Sequence, residues 1–435
     1  VDLALKMHKS KDAAQAAAID KTVAALIERA LARGASDVHI EPRARNIVVR
    51  FRVDGWLQEV AKLPLPALDE LTRNLKKRAE LDASEHNAPQ SGNFQFDSEQ
   101  IATNVHVATM PTVTGEKITL HLARRLSEPT TLEALGYWGG SLRRIEMALA
   151  EPHGLEIASS PSRTGASMSL LGAVHLLNNP ALNIATLEDP IEHQVAGVNQ
   201  TQVNLSAGVD FASGLQALLT QDPNVVMVSD LHEAETVRAA VQAALNGRLI
   251  LGGLHASDAA HGVAHLLNTP VEPFLIASSL RVALGQRFVR RLCAHCREAY
   301  QPDESVRKGL RTLLHASSVK SVKELHGLER AAIDAGLGDE QPDSTTDKAI
   351  TRLFRTNPEG CPHCRFSGFR GQLGINEVLA TSDVMKERIA SKAGAAAIRQ
   401  LAVEEGMIPL PLDGLIKALR GLTTLEEILP LALAA

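Results

Sequence analysis

From about Glu133 to Leu251 the chain alternates short apolar runs with helical segments. That rhythm admits little other than a parallel sheet with helices on both faces. Leu155–Ser159 reads as a strand, Asn183–Leu187 as a second that ends at Glu188-Asp189, and Val225–Val228 as a buried third that ends at Asp230. Leu249–Leu251 is a fourth and runs on toward His255. Helices are expected from about Ser167 to Leu177, over Phe211–Leu219 and over Glu233–Leu245. Ligands of such sheets sit at the carboxyl ends of the strands. Glu188, Asp230, His255 and the turn Ser160–Ser167 all fall at such ends.

The turn Ser160-Pro161-Ser162-Arg163-Thr164-Gly165-Ala166-Ser167 has the outline of a phosphate-binding loop. Such a loop needs glycines so that backbone N–H groups surround the phosphates, a lysine on the β/γ oxygens, and a Ser or Thr hydroxyl on Mg²⁺. Gly165 and Ser167 are in place, Ser160 stands for the first glycine, and Ala166 stands for the lysine. The candidate nucleotide-binding set is therefore Ser160, Arg163, Thr164, Gly165, Ala166 and Ser167, with Arg163 as a nearby cation. The plain alternative is a strand–turn–helix with a serine cap. Asp230 fits a strand-end carboxylate that polarises water or holds Mg²⁺ through water. It equally fits a helix N-cap completed by Glu233 in a capping box. Glu188 is a candidate general base or metal-shell acid, and His255 a candidate γ-phosphate sensor. Each also reads as an ordinary loop residue.

Cys293-Ala294-His295-Cys296 and Cys361-Pro362-His363-Cys364 are paired CxxC knuckles. Two such knuckles close a tetrahedral Zn²⁺ site, with Cys293, Cys296, Cys361 and Cys364 as ligands. Four thiolates saturate the ion, so the site is structural rather than catalytic. The remaining reading is four buried free thiols. Four cysteines in 435 residues do not make a disulfide framework.

The N-terminal portion has a different pattern. Ile19, Val23, Leu26, Ile27, Ala30 and Leu31 lie on one face of a helix that stops at Gly34. Asp37–Pro42 is a short strand, and Asp54-Gly55 between alternating runs marks a β-hairpin. Strands near Phe94–Asp97, Val105–Met110 and Lys117–Leu122 complete a small α+β domain. Net charge is −5 and aromatics make up 3%, which argues against nucleic acid as a partner. Val1–Lys11 is charged and unlike a signal peptide. The expected organisation is a tail over 1–19, an α+β domain over 20–126, a nucleotide-site domain over 133–290, a four-cysteine subdomain over 291–375, and a helical region over 376–435. Within the cysteine segment, Glu304–Asn357 reads as a polar insertion with partial helices.

Several stretches together resemble the hexameric ATPases of type II secretion and type IV pilus assembly. They are Ala35-Ser36-Asp37-Val38-His39-Ile40-Glu41-Pro42, Arg50–Gly55, Pro111–Lys117, Thr186-Leu187-Glu188-Asp189-Pro190-Ile191-Glu192, Gln221–Asp230, Leu254–Ala259, Val271–Leu280 and both CxxC pairs. The resemblance implies a RecA-like parallel-sheet domain, an ATP and Mg²⁺ site, and Zn at the cysteines. It also implies a cytoplasmic ring on an inner-membrane platform protein, serving pilus or secretion machinery. The departures cluster at the phosphates. Ser160, Arg163 and Ala166 replace Gly, Gly and Lys, and Ser229-Asp230-Leu231-His232-Glu233 replaces Gly-Glu-Ile-Arg-Asp. His106 and His121 replace arginines, Arg248 replaces a His, and Gly252-Gly253 replace Ser-Thr. Each lost charge-assisted phosphate contact costs on the order of 2–3 kcal/mol. A transition-state arginine is worth roughly 10³–10⁵ in rate. The expectation is a hydrolysis-deficient homologue acting as a structural or regulatory ring subunit beside an active paralogue. The alternatives are a working motor and a nucleotide-independent interaction module.

Overall fold

The structure, a computed structural model, describes residues 12–98, 102–122, 130–161, 163–316, 319, 321–338 and 350–433. It falls into two compact units. One comprises Val1–Ser127 with Pro190–Gln194, the other Glu128–Asp189 with Val195–Ala435.

In the first unit, α1 (Asp12–Arg33) and α2 (Leu68–Arg78) cover a sheet of β1 (Ala35–Pro42), β2 (Asn46–Val53), β3 (Trp56–Pro64), β4 (Gln90–Asp97), β5 (Ala102–Thr112) and β6 (Gly115–Leu122). The strand order is β3-β2-β1-β6-β5-β4, antiparallel throughout. The helix stripe Ile19, Val23, Leu26, Ile27 and Ala30 is buried against Val38, Ile40, Val49, Ile118 and Leu120. Asp54 and Gly55 both have positive φ (51° and 87°). A two-residue hairpin of this hand requires that at both positions, which is why Asp-Gly marks it.

The second unit opens with α3 (Gly139–Leu149) and then alternates as expected: β7 (Gly154–Ser160), α4 (Arg163–Leu177), β8 (Ile184–Glu188), β9 (Asn199–Gln202), α5 (Phe211–Leu219), β10 (Val225–Val228), α6 (Ala234–Leu245), β11 (Leu249–His255), α7 (Ala259–Leu267) and α8 (Pro273–Ser279). A long strand β12 (Leu280–Leu292) follows, and later its partner β15 (Phe369–Ala380). The sheet order is β15-β12-β7-β11-β10-β8-β9. Its pairs are parallel except β12 with β15, which run antiparallel over most of their length. Leu170, Leu171 and Val174 of α4 pack with Ile145 of α3 on one face. Leu215, Val237, Val263 and Ile276, from α5 to α8, pack on the other.

Between β12 and β15 lie β13 (Glu298–Tyr300), α9 (Glu304–Ala316), α10 (Val322–Asp334) and β14 (Leu353–Arg355). The stretch read as a polar insertion is thus more ordered than expected. Leu310 and Leu313 of α9 and Leu325 and Ala332 of α10 join an apolar cluster with the C-terminal helices. Of the C-terminal helices, α11 (Asp383–Ala390) and α12 (Ala395–Glu404) pack instead with the core of α5 to α8, whereas α13 (Leu410–Leu419) and α14 (Leu425–Leu433) form that cluster. Among the described residues no helix is long and apolar enough to cross a membrane.

A buried ion pair ties three separate segments of this unit. Lys417 Nζ is 2.6 Å from Asp413 Oδ2 and also donates to the carbonyls of Gly136 and Gly374, at 2.7 Å each. Asp413 accepts from Trp138 Nε1 at 2.7 Å and from the Asn376 N–H at 2.8 Å. Burial pulls the Lys417 ammonium below its ordinary value, and Asp413 opposes that pull.

Glu156 is different. It lies in β7 between Leu251 and Val282, 1% exposed, with Oε1 buried and without a hydrogen-bond partner. Burial pushes its carboxyl from 4.5 up to about 8. Between those values the folded chain keeps the proton while the unfolded chain has released it, so this group's contribution to stability falls as pH rises through the window. Glu156→Gln is expected to remove that slope. Urea midpoints should show the variant gaining on the parent protein between about pH 5 and about pH 9.

Candidate functional site

The carboxyl ends of β7, β8, β10 and β11 form one edge of the parallel sheet. Pairing puts His255 directly beside Ser160 and Val228 beside both Leu187 and Gly252. Ser160, Glu188, Asp230 and His255 therefore come to the same edge, where the alternation placed them.

The phosphate-loop segment departs from its outline. α4 runs from Arg163, ahead of the expected start near Ser167. Gly165, Ala166 and Ser167 lie within the opening turns of α4. Ala166 is 3% exposed and belongs to the apolar cluster with Leu170, Leu171 and Ala158. Ser160 is buried, and a Cβ on Gly165 would stand 2.3 Å from its Oγ. Here the glycine serves close strand-to-helix packing. Ser167 is half-buried. Ser162 and the side chains of Arg163 and Thr164 lie outside the described residues. Behind α4, Ser169 Oγ donates to Gln286 Oε1 at 2.5 Å and lies 2.8 Å from the Tyr137 hydroxyl, so this helix is anchored by hydrogen bonds as well as apolar packing.

Glu188 is 2% exposed. Its Oε1 accepts from Thr186 Oγ1 at 2.6 Å and from Gln200 Nε2 at 2.9 Å. Burial nevertheless raises its carboxyl above the ordinary range. β9 carries Gln200 and was not anticipated from the sequence, because Asn199–Gln202 has no apolar run.

Asp230 is not a helix cap. The N-cap of α6 is Glu233, without a side-chain bond, so the capping-box reading fails. Asp230 is 7% exposed; its Oδ2 lies 3.1 Å from His232 Nδ1 and 4.0 Å from His255 Nε2. The loop bearing it presses on β11. Leu231 N–H donates to the Gly253 carbonyl at 2.8 Å. A Cβ on Gly252 would meet Leu231 Cδ1 at 2.1 Å, and one on Gly253 would meet the Ser229 carbonyl oxygen at 2.1 Å. The Gly-Gly pair is thus required by the close approach of Ser229–Leu231.

The loop after His255 is fastened from behind. Arg287 Nε and Nη2 donate to the Ser257 carbonyl, at 3.3 and 3.1 Å. Asp258 caps α7 through the His261 N–H at 2.9 Å and pairs with Arg399 of α12 at 2.5 Å. Burial works against ionisation of Asp258, but the His261 N–H, Arg399 and Ser257 outweigh it and hold the carboxyl below its usual range. Glu377 of β15 is 2% exposed; it accepts from the Ala259 N–H at 2.8 Å with one oxygen and from the Leu410 N–H at 3.1 Å with the other. Arg287, Arg399 and Glu377 were not singled out from the sequence, since only the fold brings β12, α12 and β15 to this loop.

The four cysteines converge. Their sulfurs all lie within 4.8 Å of one another. Cys293–Cys361, Cys296–Cys364 and Cys361–Cys364 are each separated by 3.7 Å. Four sulfurs bonded to one ion at about 2.3 Å in a tetrahedron stand about 3.8 Å apart, so the spacing fits a metal. Cys364 Sγ accepts the N–H groups of Cys361 at 3.3 Å and Gly368 at 3.2 Å. Burial opposes ionisation there, but these donors draw the thiol down to about 6. His295 and His363 stack on each other at 3.9 Å and remain exposed, outside the ligand set. In the other unit, His106 and His121 face each other across β5 and β6 with ring centres 5.6 Å apart, and His121 is held by Asp37 at 2.6 Å.

Gly165→Ala is expected to cost about 1–3 kcal/mol in urea unfolding, the usual penalty for overpacking. Adding Ser160→Gly should recover part of that loss, because Ser160 is what the new methyl would strike.

Residues 12–430 match the family model described as type II/IV secretion system protein. The chain is 34% identical over 412 residues to the type IV pilus assembly ATPase PilB of Thermus thermophilus, covering 95% of this chain and 43% of that one. It is 35% identical over 413 residues to the type II secretion system ATPase E of Vibrio cholerae, covering 95% and 75%. The chain thus spans less than half of the Thermus relative and three quarters of the Vibrio one. Among solved structures, the Legionella pneumophila ATPase DotB superposes with a TM-score of 0.63 at 16% identity, covering 95% of each chain. The pilus retraction motor PilT with bound ADP gives 0.58 at 16%, covering 94% and 96%. These likenesses establish the RecA-like fold, and the matches over nearly the whole length establish the kinship: this chain belongs to the type II/IV secretion system protein family.

Proposed function

We propose that this chain is a secretion- or pilus-motor homologue that no longer hydrolyses ATP and serves as a structural or regulatory subunit. The observation that carries the reading is Ala166, packed in the apolar core at the position where the family's lysine grips the triphosphate. Gly165 lies inside α4 against buried Ser160, so this part of the segment is filled by side-chain packing. Glu188, Asp230 and His255 keep the catalytic side of the edge, and Ser160, Arg163, Thr164, Gly165 and Ser167 are what remains of the phosphate side. By kinship the subunit would sit in a cytoplasmic hexameric ring, beside an active paralogue, on an inner-membrane platform protein. The domain boundaries at 20–126, 133–290, 291–375 and 376–435 belong to the same proposal.

Purified protein is expected to turn over Mg·ATP far below about 1 s⁻¹, the low end of ordinary enzymes. Turnover at or above that rate would establish a working motor and overturn the proposal. ATP binding without turnover marks a nucleotide-sensing subunit, whereas absence of binding marks an interaction module. Ala166→Lys alone should leave turnover at the baseline, because the lysine would enter a packed core.

The four cysteines are proposed to hold Zn²⁺ through Cys293, Cys296, Cys361 and Cys364, where the ion would supply a closed structural crosslink. Metal analysis after dialysis should find about one equivalent per chain. Cys361→Ser should bring that below about half and lower the thermal midpoint.

A further inference from the structure

We propose that the four-cysteine segment presents a cationic face with an aromatic tip that docks on an anionic phospholipid surface. Residues 290–300 and 350–372 contain seven arginines, no lysine and two acids, Glu298 and Glu359, in a chain whose net charge is −5. A local excess of positive charge is thus set against an acidic remainder. A negatively charged surface attracts this pole and repels the rest, which orients the chain as well as binding it.

The fold sorts the arginines. Arg290 is taken up by Glu427 at 2.7 Å and lies over the Phe369 ring at 3.8 Å. Arg297 donates to the Gly421 carbonyl at 2.8 Å. Arg291, Arg355, Arg365 and Arg370 are exposed. Arg290 pairs with Gln372 and Leu292 with Phe369, so an irregularity in the ladder sets Arg291 opposite Arg370 and Gly371. Neither the Arg291 nor the Arg370 guanidinium has an ion pair or hydrogen bond among the described residues. Like charges opposite one another on paired strands are destabilising, and a phosphate bound by both removes the repulsion.

Phe366 supplies the apolar part. It is 68% exposed and has a φ of 64°, next to Arg365 at 52°. So bulky a side chain is uncommon in the left-handed region. The knuckle enforces it: the Phe366 N–H donates to the Cys361 carbonyl at 2.9 Å, and a Cβ on Gly360 would meet the Phe366 backbone at 2.5 Å. The Cys293 N–H donates to the Gly368 carbonyl at 3.0 Å, which ties this turn to the strand end that carries Arg291. An exposed ring beside arginines suits the boundary of a bilayer, where the ring enters the apolar zone and the guanidinium groups pair with phosphates. A soluble polyanion would engage the arginines and leave Phe366 in water. The choice of a bilayer rests on the proposed place at the inner membrane; the binding is independent of whether ATP is turned over.

The test is sedimentation of the full, zinc-loaded chain with vesicles of phosphatidylcholine alone or mixed with phosphatidylglycerol. Binding is expected with the mixed vesicles only, and is expected to fade as salt is raised. A basic residue near such a surface is worth about fivefold in partitioning, so Arg291→Gln with Arg370→Gln should lower binding by about 25-fold. Phe366→Ser should lower it with the salt dependence unchanged. Lys62→Gln with Lys77→Gln makes the same charge change on exposed lysines of the other unit and should leave binding within about twofold of the parent. Zinc content and thermal midpoint equal to the parent's establish that each variant is folded. The proposal is overturned if the mixed vesicles do not bind at low salt, or if either the arginine pair variant or Phe366→Ser binds as the parent does. It is equally overturned if inorganic phosphate at matched ionic strength displaces the chain, or if heparin binds while the vesicles do not. Mg·ATP turnover is measured separately on the same protein, so a working motor would overturn the proposed function and leave this result standing.

Discussion

The buried pair Asp413–Lys417 is the constraint on which the second unit depends. Five hydrogen bonds converge on two side chains that are nearly or wholly buried, and they come from Gly136, Trp138, Gly374, Asn376 and the pair itself. The segment before α3, the strand β15 and the helix α13 are thereby fixed to one point. Desolvating two charges is expensive, so such a pair adds little net stability over apolar residues of the same size. Removing one partner is another matter, because the survivor is left charged and unpaired at a cost of about 3–5 kcal/mol. The pair therefore specifies how three remote stretches meet, while apolar burial supplies the bulk of the driving force.

From that anchorage follows the placement of the sheet edge. β15 is held by Asp413 through the Asn376 N–H, and β15 pairs along β12, which borders β7. The edge that carries Ser160, Asp230 and His255 is thus the far consequence of packing among C-terminal helices. Two kinds of chemistry meet there. The side of the turn after β7 is closely packed, with Ala166 in the core and Ser160 filling the space beside Gly165. The carboxylate and imidazole side remains polar, with Asp230 between two histidines.

Much of this was legible in the sequence where the signal is local. The Asp54-Gly55 hairpin, the helix stripe from Ile19 to Ala30 and the strands β7, β8, β10 and β11 each follow from turn chemistry or periodicity within a dozen residues. The CxxC spacing likewise foretold convergence of four sulfurs. Other features are tertiary and left no local trace. β12 carries Arg281, Gln286, Arg287, Arg290 and Arg291 and so breaks the pattern of a buried strand, yet it is the longest strand among the described residues. The early start of α4 could not be read, because Ser162 to Thr164 suits a loop as well as a first helical turn. Glu156, Asp413 and Lys417 look like surface residues in one dimension. Their burial depends on partners far along the chain, or for Glu156 Oε1 on having none.

The carboxylate of Glu377 has a mechanical implication. Its two oxygens are separated by a rigid carbon centre, and each grips the first amide of a different helix, α7 at Ala259 and α13 at Leu410. Neither helix can slide without dragging the other or snapping a bond. A tug on the C-terminal bundle would therefore be transmitted through one side chain to the loop that carries His255. The fold thus contains a crank between its C-terminal helices and the sheet edge where the parallel strands end.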